Sequence, residues 1–336
     1  MPGATVVFQR EHELLRALLA RRSLRRGWDG AAAQLLASLP PTPLDLHIYL
    51  EARCDQACEF CAQPAQRDRP AHRVVRALDL ALDAGVGDLV RSGALAALLA
   101  ACARRDPAVR LTLTGHDWLA HPARDALLAL LEAHPTLPTR LLGPSTALAD
   151  AALARRVAAL PNLVAVALTV QGGDARTHDR SVGRSGAFDD LCAAVAHLTA
   201  AGATVEVNTV LTRDGLDALP STLAWAQARG LSVTLAAFVP EPGHPSPRAY
   251  LPRLDGVRAT LAAQVDALAT RRALLVGLPL CVVPAPLRSR AFGGARPSTP
   301  AAAPCVGCAA RARCPGAPQA YLDVFGDDAL RPLDAR

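Results

Sequence analysis

Short β-type runs alternate with helical stretches from Leu44 onward, and this alternation constrains the fold more than any other feature of the sequence. The predicted strands are Leu46–Glu51, Arg110–Thr114, Thr139–Leu142, Leu163–Val170, Thr204–Leu211 and Ser232–Val239. The predicted helices between and after them are Arg73–Ala84, Ala94–Arg104, Ala123–Ala133, Ala147–Ala159, Phe188–Ala201, Leu216–Arg229 and Val257–Ala269. Strands that alternate with helices pair in parallel. Six such repeats predict an α/β fold, a partial (β/α)6 barrel of the TIM type, whose chemistry lies in the loops after the strands.

The segments before and after this alternation read differently. The stretch from Glu11 to Leu39 predicts two Ala/Leu/Arg helices without strand signals, broken at Gly27–Gly30. The proline-rich stretch Val239–Pro252 is expected to end the barrel, and the region from Gly277 onward has prolines and four cysteines in place of long periodic segments. The predicted division is a helical N-terminal extension (1–43), a barrel core (44–245) and a small cysteine-rich C-terminal module (246–336).

The cysteine content indicates metal or redox chemistry. At 336 residues the chain can bury a real core, and its longest apolar run, Ala94–Ala103, is about half of the roughly 20 residues that a membrane span needs. The N-terminus lacks the features of a secretory signal, so the cytoplasm is the expected compartment and no membrane is expected as a partner. Thiols stay reduced there, so nine cysteines favour metal binding over disulfides.

The basic residues exclude several kinds of chemistry. The formal charge is +6, and every basic side chain is arginine because the chain has no lysine. This excludes a Schiff-base lysine, a pyridoxal phosphate anchor and the lysine of a phosphate-binding loop. Aromatic residues are only 4% of the chain and the arginines are scattered, so nucleic acid is not expected as a partner.

Three cysteines follow the first predicted strand: Cys54, Cys58 and Cys61. A short loop with this spacing can place three thiolates on a [4Fe–4S] cube and leave the fourth iron open for an exogenous ligand. A closed zinc site needs four ligands, and this group would reach four only if His72 completed it. Cysteines that merely pack are a weaker reading, because the residues between them are mostly polar.

A second group of cysteines lies near the C-terminus. Its members are Cys281, Cys305, Cys308 and Cys314. Four thiolates can close either a tetrahedral zinc site or a fully ligated [4Fe–4S] cluster, and the sequence leaves both open. The remaining two, Cys102 and Cys192, lie in apolar helical runs and are expected to be small buried hydrophobic residues.

The first cysteine group, with Phe60 directly before its last cysteine, resembles the signature of the radical S-adenosylmethionine (radical SAM) superfamily. The segment from Leu113 to Pro122 is similar to the glycine-rich turn with which that family holds the methionine moiety. The resemblance implies that Phe60, Thr114, Gly115 and Asp117 bind the cofactor. His116 departs from the family pattern, and its Cβ is expected to hinder the close backbone approach that glycine allows.

Two later segments resemble the fourth and fifth strands of the same family. The resemblance implies that Thr169 and Asn208 reach the cofactor. It also places the His178-Asp179 pair in the loop before the helix of Phe188. A local alternative stays open, in which this pair only caps and braces that helix.

The resemblance implies an enzyme that binds a [4Fe–4S] cluster through the first cysteine group and reductively cleaves S-adenosyl-L-methionine. The resulting 5′-deoxyadenosyl radical would abstract hydrogen from a peptide or a small-molecule substrate. An electron donor such as flavodoxin or ferredoxin would supply the electron. The alternative is a non-catalytic relative that binds an iron–sulfur cluster or zinc, and no catalytic acid or base is identified.

The module 246–336 resembles the SPASM or twitch extensions of this superfamily. The resemblance implies that its four cysteines hold one auxiliary [4Fe–4S] cluster that transfers electrons. No cysteine follows Cys314, so one auxiliary cluster is the most that the chain can hold.

Overall fold

The computed structural model of the chain describes residues 5–10, 17, 18, 21, 27–50, 54–58, 60, 61, 90, 91, 93–106, 108–143, 146–240, 246–270, 273–292 and 302–334. The predicted helix Arg73–Ala84 and the candidate ligand His72 lie outside these residues. The chain forms two compact units. The first comprises Met1–Asp55, Ala65–Leu168 and Asp190–Val205, and the second comprises Gln56–Pro64, Thr169–Asp189 and Glu206–Arg336.

Parallel strands and the helices between them build the first unit. Its strands are β1 (Thr5–Arg10), β2 (Leu44–Leu50), β3 (Val109–Gly115), β4 (Thr139–Gly143) and β5 (Leu163–Thr169), and each pairs in parallel with the next. Its helices are α1 (Trp28–Ala37), α2 (Ala94–Arg104), α3 (Arg124–Glu132) and α4 (Ala151–Ala158), with 3-10 turns at Trp118–Ala120 and Thr146–Ala149. Leu44, Leu46, Ile48 and Leu50 alternate along β2 and are all buried, so one face of this strand forms core.

The strand β1 was not expected from the sequence. The N-terminal extension was predicted to be helical, and of that prediction the structure has α1, with residues 17, 18 and 21 also helical. β1 instead pairs with β2 from Thr5↔Leu44 to Arg10↔Tyr49. A short edge strand owes its conformation to hydrogen bonds with a distant partner, so no local pattern announces it.

The second unit continues the same plan. Its strands are β6 (Val205–Leu211), β7 (Ser232–Ala237), β8 (Leu274–Val276) and β9 (Ala291–Phe292), paired in parallel in that order. Its helices are α5 (Ala175–Val182), α6 (Ala187–Ala200, of which residues 190–200 belong to the first unit), α7 (Arg213–Ala228), α8 (Pro247–Tyr250), α9 (Leu254–Ala263), α10 (Val265–Thr270) and α11 (Gln319–Phe325). Three 3-10 turns lie at Ala285–Arg290, Ala303–Cys305 and Arg311–Arg313.

The proline-rich stretch after β7 does not end the strand pairing, contrary to expectation. β8 pairs with β7 from Thr234↔Leu274 onward, and β9 pairs with β8. These strands have three and two residues, too few for a period of two to be visible in the sequence.

The predicted fold class is confirmed. All six predicted strands are present, each within two residues of its predicted ends, and within each unit consecutive strands are parallel with helices between them. This is the repeating plan of a partial (β/α) barrel of the TIM type. None of the described helices is long and apolar enough to cross a membrane. The division into three domains stays a prediction.

A buried polar cluster joins the first residues of β2 and β3. The Asp45 carboxylate is only 5% exposed and accepts hydrogen bonds from the Arg110 guanidinium and from Thr112 Oγ1, the latter at 3.0 Å. His47 Nε2 lies 3.3 Å from the same carboxylate. Burial alone would raise the pKa of Asp45, but His47 and Arg110 hold this pKa well below its usual range.

We predict that Asp45→Asn lowers the free energy of unfolding at pH 7 by about 3 kcal/mol, because it removes the buried anion that the half-buried Arg110 pairs with. The folded-state pKa of Asp45 is depressed, so its contribution is present above the unfolded-state pKa of about 3.9 and is lost as the pH falls through the folded value. Urea unfolding followed by circular dichroism measures both effects.

The matched control is Asp125→Asn. Asp125 also pairs with an arginine, Arg156, at 2.6 Å, but its side chain is 65% exposed. We expect this change to cost at most about 1 kcal/mol. Equal losses for the two variants would contradict a structural role for the Asp45 cluster.

Candidate active site

The predicted site residues follow strands in both units. Cys54 and the turn after β3 belong to the first unit, whereas Phe60, Cys58, Cys61, Thr169 and Asn208 belong to the second. None of the nine cysteines, all of which the structure describes, forms a disulfide bond. The three of the first group are half-buried, so each sulfur is neither locked in the core nor fully in solvent.

The loop that carries Cys58 and Cys61 is anchored on the end of α5. Ala57 N donates to Val182 O at 2.8 Å, and Cys61 N donates to Cys58 O at 3.1 Å. Gly183 ends α5 with φ +65°, and a Cβ at this position would lie 2.8 Å from Ala57 Cβ and 2.9 Å from Ala57 O. A glycine is therefore needed at 183 for the cysteine loop to lie this close to the helix.

The turn after β3 depends on a close backbone approach at Gly115. Leu50↔Gly115 is the last register pair of β2 and β3, and His116 N donates to Leu50 O at 3.2 Å. Gly115 has φ +123°, and a Cβ there would lie 2.2 Å from Leu50 O and 2.8 Å from Leu50 N. The close approach is thus made by Gly115, the residue before His116.

His116 and Asp117 are buried rather than presented at the surface. His116 is 4% exposed and its ring packs edge-on against Tyr49, with ring centroids 5.7 Å apart. Asp117 is 3% exposed and lines, with His116 and Trp118, a cavity of about 240 Å³ including adjoining space. Thr114 and Gly115 are half-buried. The side chain expected to disturb the turn is accommodated by the core of the first unit.

In the second unit the predicted residues Thr169 and Asn208 are both half-buried near paired backbone. Val170 N donates to Asn208 O at 2.9 Å, and Thr209 Oγ1 donates to Val170 O at 3.0 Å. Burial alternates along β6, so the Asn208 side chain lies on the less buried face of the strand. It therefore keeps some exposure at a position where a ligand could reach it.

His178 and Asp179 lie within helix α5, where the sequence predicted a loop. His178 is buried, and its Nδ1 accepts a hydrogen bond from Gln171 N at 3.1 Å. Burial lowers the pKa of His178 to about 4, and only the neighbouring Asp179 opposes this shift. His178 is therefore neutral at physiological pH and acts as an acceptor.

The local interpretation of this pair is the one that the contacts support. The Asp179 carboxylate accepts from Gly186 N at 2.7 Å and from Phe188 N at 2.8 Å, at the start of α6. The Phe188 ring in turn contacts the rings of His178 and Trp225, each at a centroid distance of 5.8 Å. The pair thus braces the start of the next helix. The sequence alone had not decided between this local role and a role in the site.

The four C-terminal cysteines line one cavity. Cys281, Cys305, Cys308 and Cys314 surround a space of about 320 Å³, including adjoining solvent. Two of the sulfurs already accept backbone hydrogen bonds. Leu280 N and Gly316 N lie 3.3 and 3.4 Å from Cys314 Sγ, and Leu333 N lies 3.4 Å from Cys308 Sγ.

The electrostatic surroundings of one of these thiols, Cys305, include the other three. Burial raises the pKa of the Cys305 thiol, and Cys281, Cys314 and Cys308 raise it further, while Arg311 opposes them. Such a set of soft ligands suits an iron–sulfur cluster or zinc. Within the described ranges, however, no three His, Cys, Asp or Glu side chains are arranged to hold a metal ion. The shared cavity establishes proximity, and the choice between cluster and zinc stays open.

The other two cysteines lie apart from both groups in helices. Cys102 is 2% exposed, and burial raises the pKa of its thiol to about 12 despite Arg105, so it is an inert core residue as expected. Cys192 is half-buried in α6.

Comparison with known proteins identifies a family. A sequence model of the Radical SAM superfamily matches residues 48–225. SuiB of Streptococcus suis, at 15% identity and a TM-score of 0.51, is matched over 79% of this chain and 53% of its own. Its S-adenosylmethionine-bound structure gives the same identity and TM-score, with coverages of 84% and 54%. The structure of anSMEcpe with bound AdoMet and Cp18Cys peptide has 14% sequence identity and a TM-score of 0.50. The match covers 67% of this chain and 59% of that one.

The chain spans about half the length of the SuiB structures, and identities this low show the fold alone. No curated protein matches the chain.

We predict that Gly115→Ala lowers the free energy of unfolding by at least about 2 kcal/mol. A strained backbone costs about 1–3 kcal/mol, and the new Cβ would clash with backbone atoms of Leu50, which cannot rotate away. Gly143→Ala is the matched control at the end of β4, where a Cβ meets nothing within 4 Å. We expect a change there within about 0.5 kcal/mol. Similar losses in urea unfolding would refute the close approach at Gly115.

We predict that Gly183→Ala loosens the cysteine loop. In the metal-free variant, Cys58 should react with iodoacetamide about tenfold faster than in metal-free wild type. This factor corresponds to a loss of about 1.4 kcal/mol in the free energy that holds the loop on α5. Gly186→Ala controls for backbone strain, since Gly186 has φ +78° but open space around its Cα. Peptide mass spectrometry measures the rates, and equal reactivity of Cys58 in both variants would argue against the anchor.

Proposed function

The chain belongs to the radical SAM superfamily, and on this premise we propose that it is a radical SAM enzyme that uses a [4Fe–4S] cluster to cleave S-adenosyl-L-methionine. The observation that carries the proposal is the cysteine group Cys54, Cys58 and Cys61. These are half-buried thiols with the family's spacing, they follow β2 in the sequence, and they lie inside the matched segment 48–225. Three thiolate ligands fit a cluster that keeps one iron open.

Within this proposal the chain's own residues bind and orient the cofactor. When bound, the cluster supplies the electron that cleaves S-adenosyl-L-methionine to a 5′-deoxyadenosyl radical, which abstracts hydrogen from the substrate. The Gly115 turn would present backbone carbonyls to the methionine moiety, next to Thr114 and Asp117. Thr169 and Asn208 keep partial exposure suited to contacts with the nucleoside, and the half-buried Phe60 would shield the cluster from water.

We further propose that Cys281, Cys305, Cys308 and Cys314 hold an auxiliary [4Fe–4S] cluster for electron transfer. The shared cavity and the backbone N–H groups that already point at two of the sulfurs support this proposal. Such hydrogen bonds stabilise thiolate charge and raise the reduction potential of a bound cluster. Zinc is the competing occupant, and metal analysis distinguishes the two.

The proposed substrate is a peptide or a small molecule, and the proposed electron donor is a flavodoxin or ferredoxin. The anSMEcpe structure, which shares the fold, holds a peptide, which is consistent with the first of these classes. A cytoplasmic location is proposed because a reducing compartment keeps thiols available for metal binding, and seven of the nine cysteines fall in two spaced groups.

The test is anaerobic reconstitution with iron and sulfide, followed by reduction with dithionite in the presence of S-adenosyl-L-methionine. We expect 5′-deoxyadenosine from wild type and from the control Cys192→Ala, and only background from Cys58→Ala. Chromatography measures the product. A protein with a full complement of iron that forms no 5′-deoxyadenosine would refute the enzymatic proposal and favour a non-catalytic cluster-binding relative.

Metal content tests the auxiliary site in the same preparations. Two clusters give about eight iron atoms per chain, and Cys305→Ala should remove about four of them. About four iron atoms together with about one zinc in wild type would assign the C-terminal site to zinc instead.

A further inference from the structure

An open groove in the second unit lies outside both cysteine groups. The start of α7, the short helix α8 with the residues after it, and Phe325 of α11 line it. α8 contacts both α7 and α11, so the walls of the groove are packed against one another. The volume of the groove is about 940 Å³, at the upper end of the roughly 300–1,000 Å³ of small-molecule pockets. Such a groove has room for an extended ligand.

Positive charge predominates among the side chains that line this groove. Arg213, Arg248 and Arg253 are exposed there, against a single acidic residue, Asp217. Arg213 is already paired with Asp214 at 3.1 Å. In the part of the chain that the structure describes, Arg248 and Arg253 form no ion pair with a carboxylate. Their donors are therefore available to an anionic ligand.

The Phe325 ring holds these two arginines at the groove. The guanidinium carbons of Arg248 and Arg253 lie 5.9 and 5.3 Å from its ring centroid. Tyr321, one turn earlier on α11, is buried, packs against Phe325 at 5.1 Å and accepts a hydrogen bond from Leu254 N, so the ring has a fixed support. Stacking on a ring occupies one face of a guanidinium and leaves its edge N–H groups free for carboxylates.

The rest of the lining is largely apolar. Leu216, Leu251 and Pro252 are buried residues at the groove, and Phe325 is half-buried. The positive end of the helix dipole of α7, a helix of 16 residues, adds to the positive potential. A ligand for this surface should combine carboxylates with apolar side chains.

We propose that this groove binds an acidic peptide segment, one that alternates carboxylate and apolar side chains. The inference rests on the proposed function in taking this segment to be part of a peptide substrate. Nucleic acid fits less well, because the groove offers one aromatic ring, already covered by two arginines, where successive bases need several stacking surfaces.

The experiment measures binding of a fluorescein-labelled short peptide of alternating Glu and Leu to the reconstituted protein by fluorescence anisotropy. The matched peptide has Gln in place of Glu. We expect the acidic peptide to bind at least about tenfold more tightly, and binding to weaken as NaCl is raised from about 0.05 to about 0.3 M. Equal affinities for the two peptides would overturn the proposal.

Variants then locate the binding. The double variant Arg248→Gln, Arg253→Gln should bind the acidic peptide at least about tenfold more weakly than wild type, because two charge-assisted contacts are lost. The control is Arg155→Gln with Arg229→Gln, which removes the same charge, and Arg229 likewise stacks on an aromatic ring, that of Trp225, at 4.5 Å. The control should bind within about twofold of wild type.

Each further outcome has one meaning. Unchanged binding in the Arg248/Arg253 variant, or an unlabelled single-stranded oligonucleotide that displaces the peptide more effectively than unlabelled acidic peptide, would overturn the proposal. Peptide binding by Cys58→Ala protein separates this inference from the proposed function. Absence of 5′-deoxyadenosine from iron-loaded wild-type protein that still binds the peptide counts against the function alone. Formation of 5′-deoxyadenosine by wild-type protein that does not bind the peptide counts against the groove alone.

Discussion

The parallel pairing of β2 with β3 is the constraint on which the first unit depends. The buried Asp45 cluster fixes one end of this strand pair, and the close approach of Gly115 to Leu50 fixes the other. A slip of one residue would separate Asp45 from Arg110 and turn the buried face of β2 outward. Because parallel strands end at the same edge, this register brings the end of β2 beside the turn after β3.

A different device supports the cysteine loop in the second unit. At the C-terminal end of α5, Val182 O accepts a hydrogen bond from Ala57 N. The Asp179 carboxylate of the same helix accepts from Gly186 N, just before α6. The buried, neutral His178 of α5 accepts a hydrogen bond from the backbone N–H of Gln171. One short helix therefore connects the Cys58 loop, the segment after β5 and the next helix, and its polar residues serve positioning.

The two cysteine groups differ in the way their sulfurs are supported. The C-terminal four line a single cavity, and two of their sulfurs, those of Cys308 and Cys314, receive backbone N–H groups. The first group has three sulfurs, as a site with an open iron requires. The groove of Arg248 and Arg253 lies on α7, α8 and α11, and none of the residues that line it belongs to either cysteine group.

The sequence by itself determined the strand–helix plan and the grouping of seven cysteines into two spaced sets. Six strands, among them β2 and β6, are long enough for their periodicity to be visible in the sequence. The spacing of the cysteines is likewise visible there. Only the tertiary structure decided β1, β8 and β9, the helical state of His178, the need for glycine at 183 and the grouping of Arg248 and Arg253 on Phe325. Each of these depends on a partner distant in the chain, and hydrogen bonds, steric contacts and charges between distant residues leave no local pattern in a sequence.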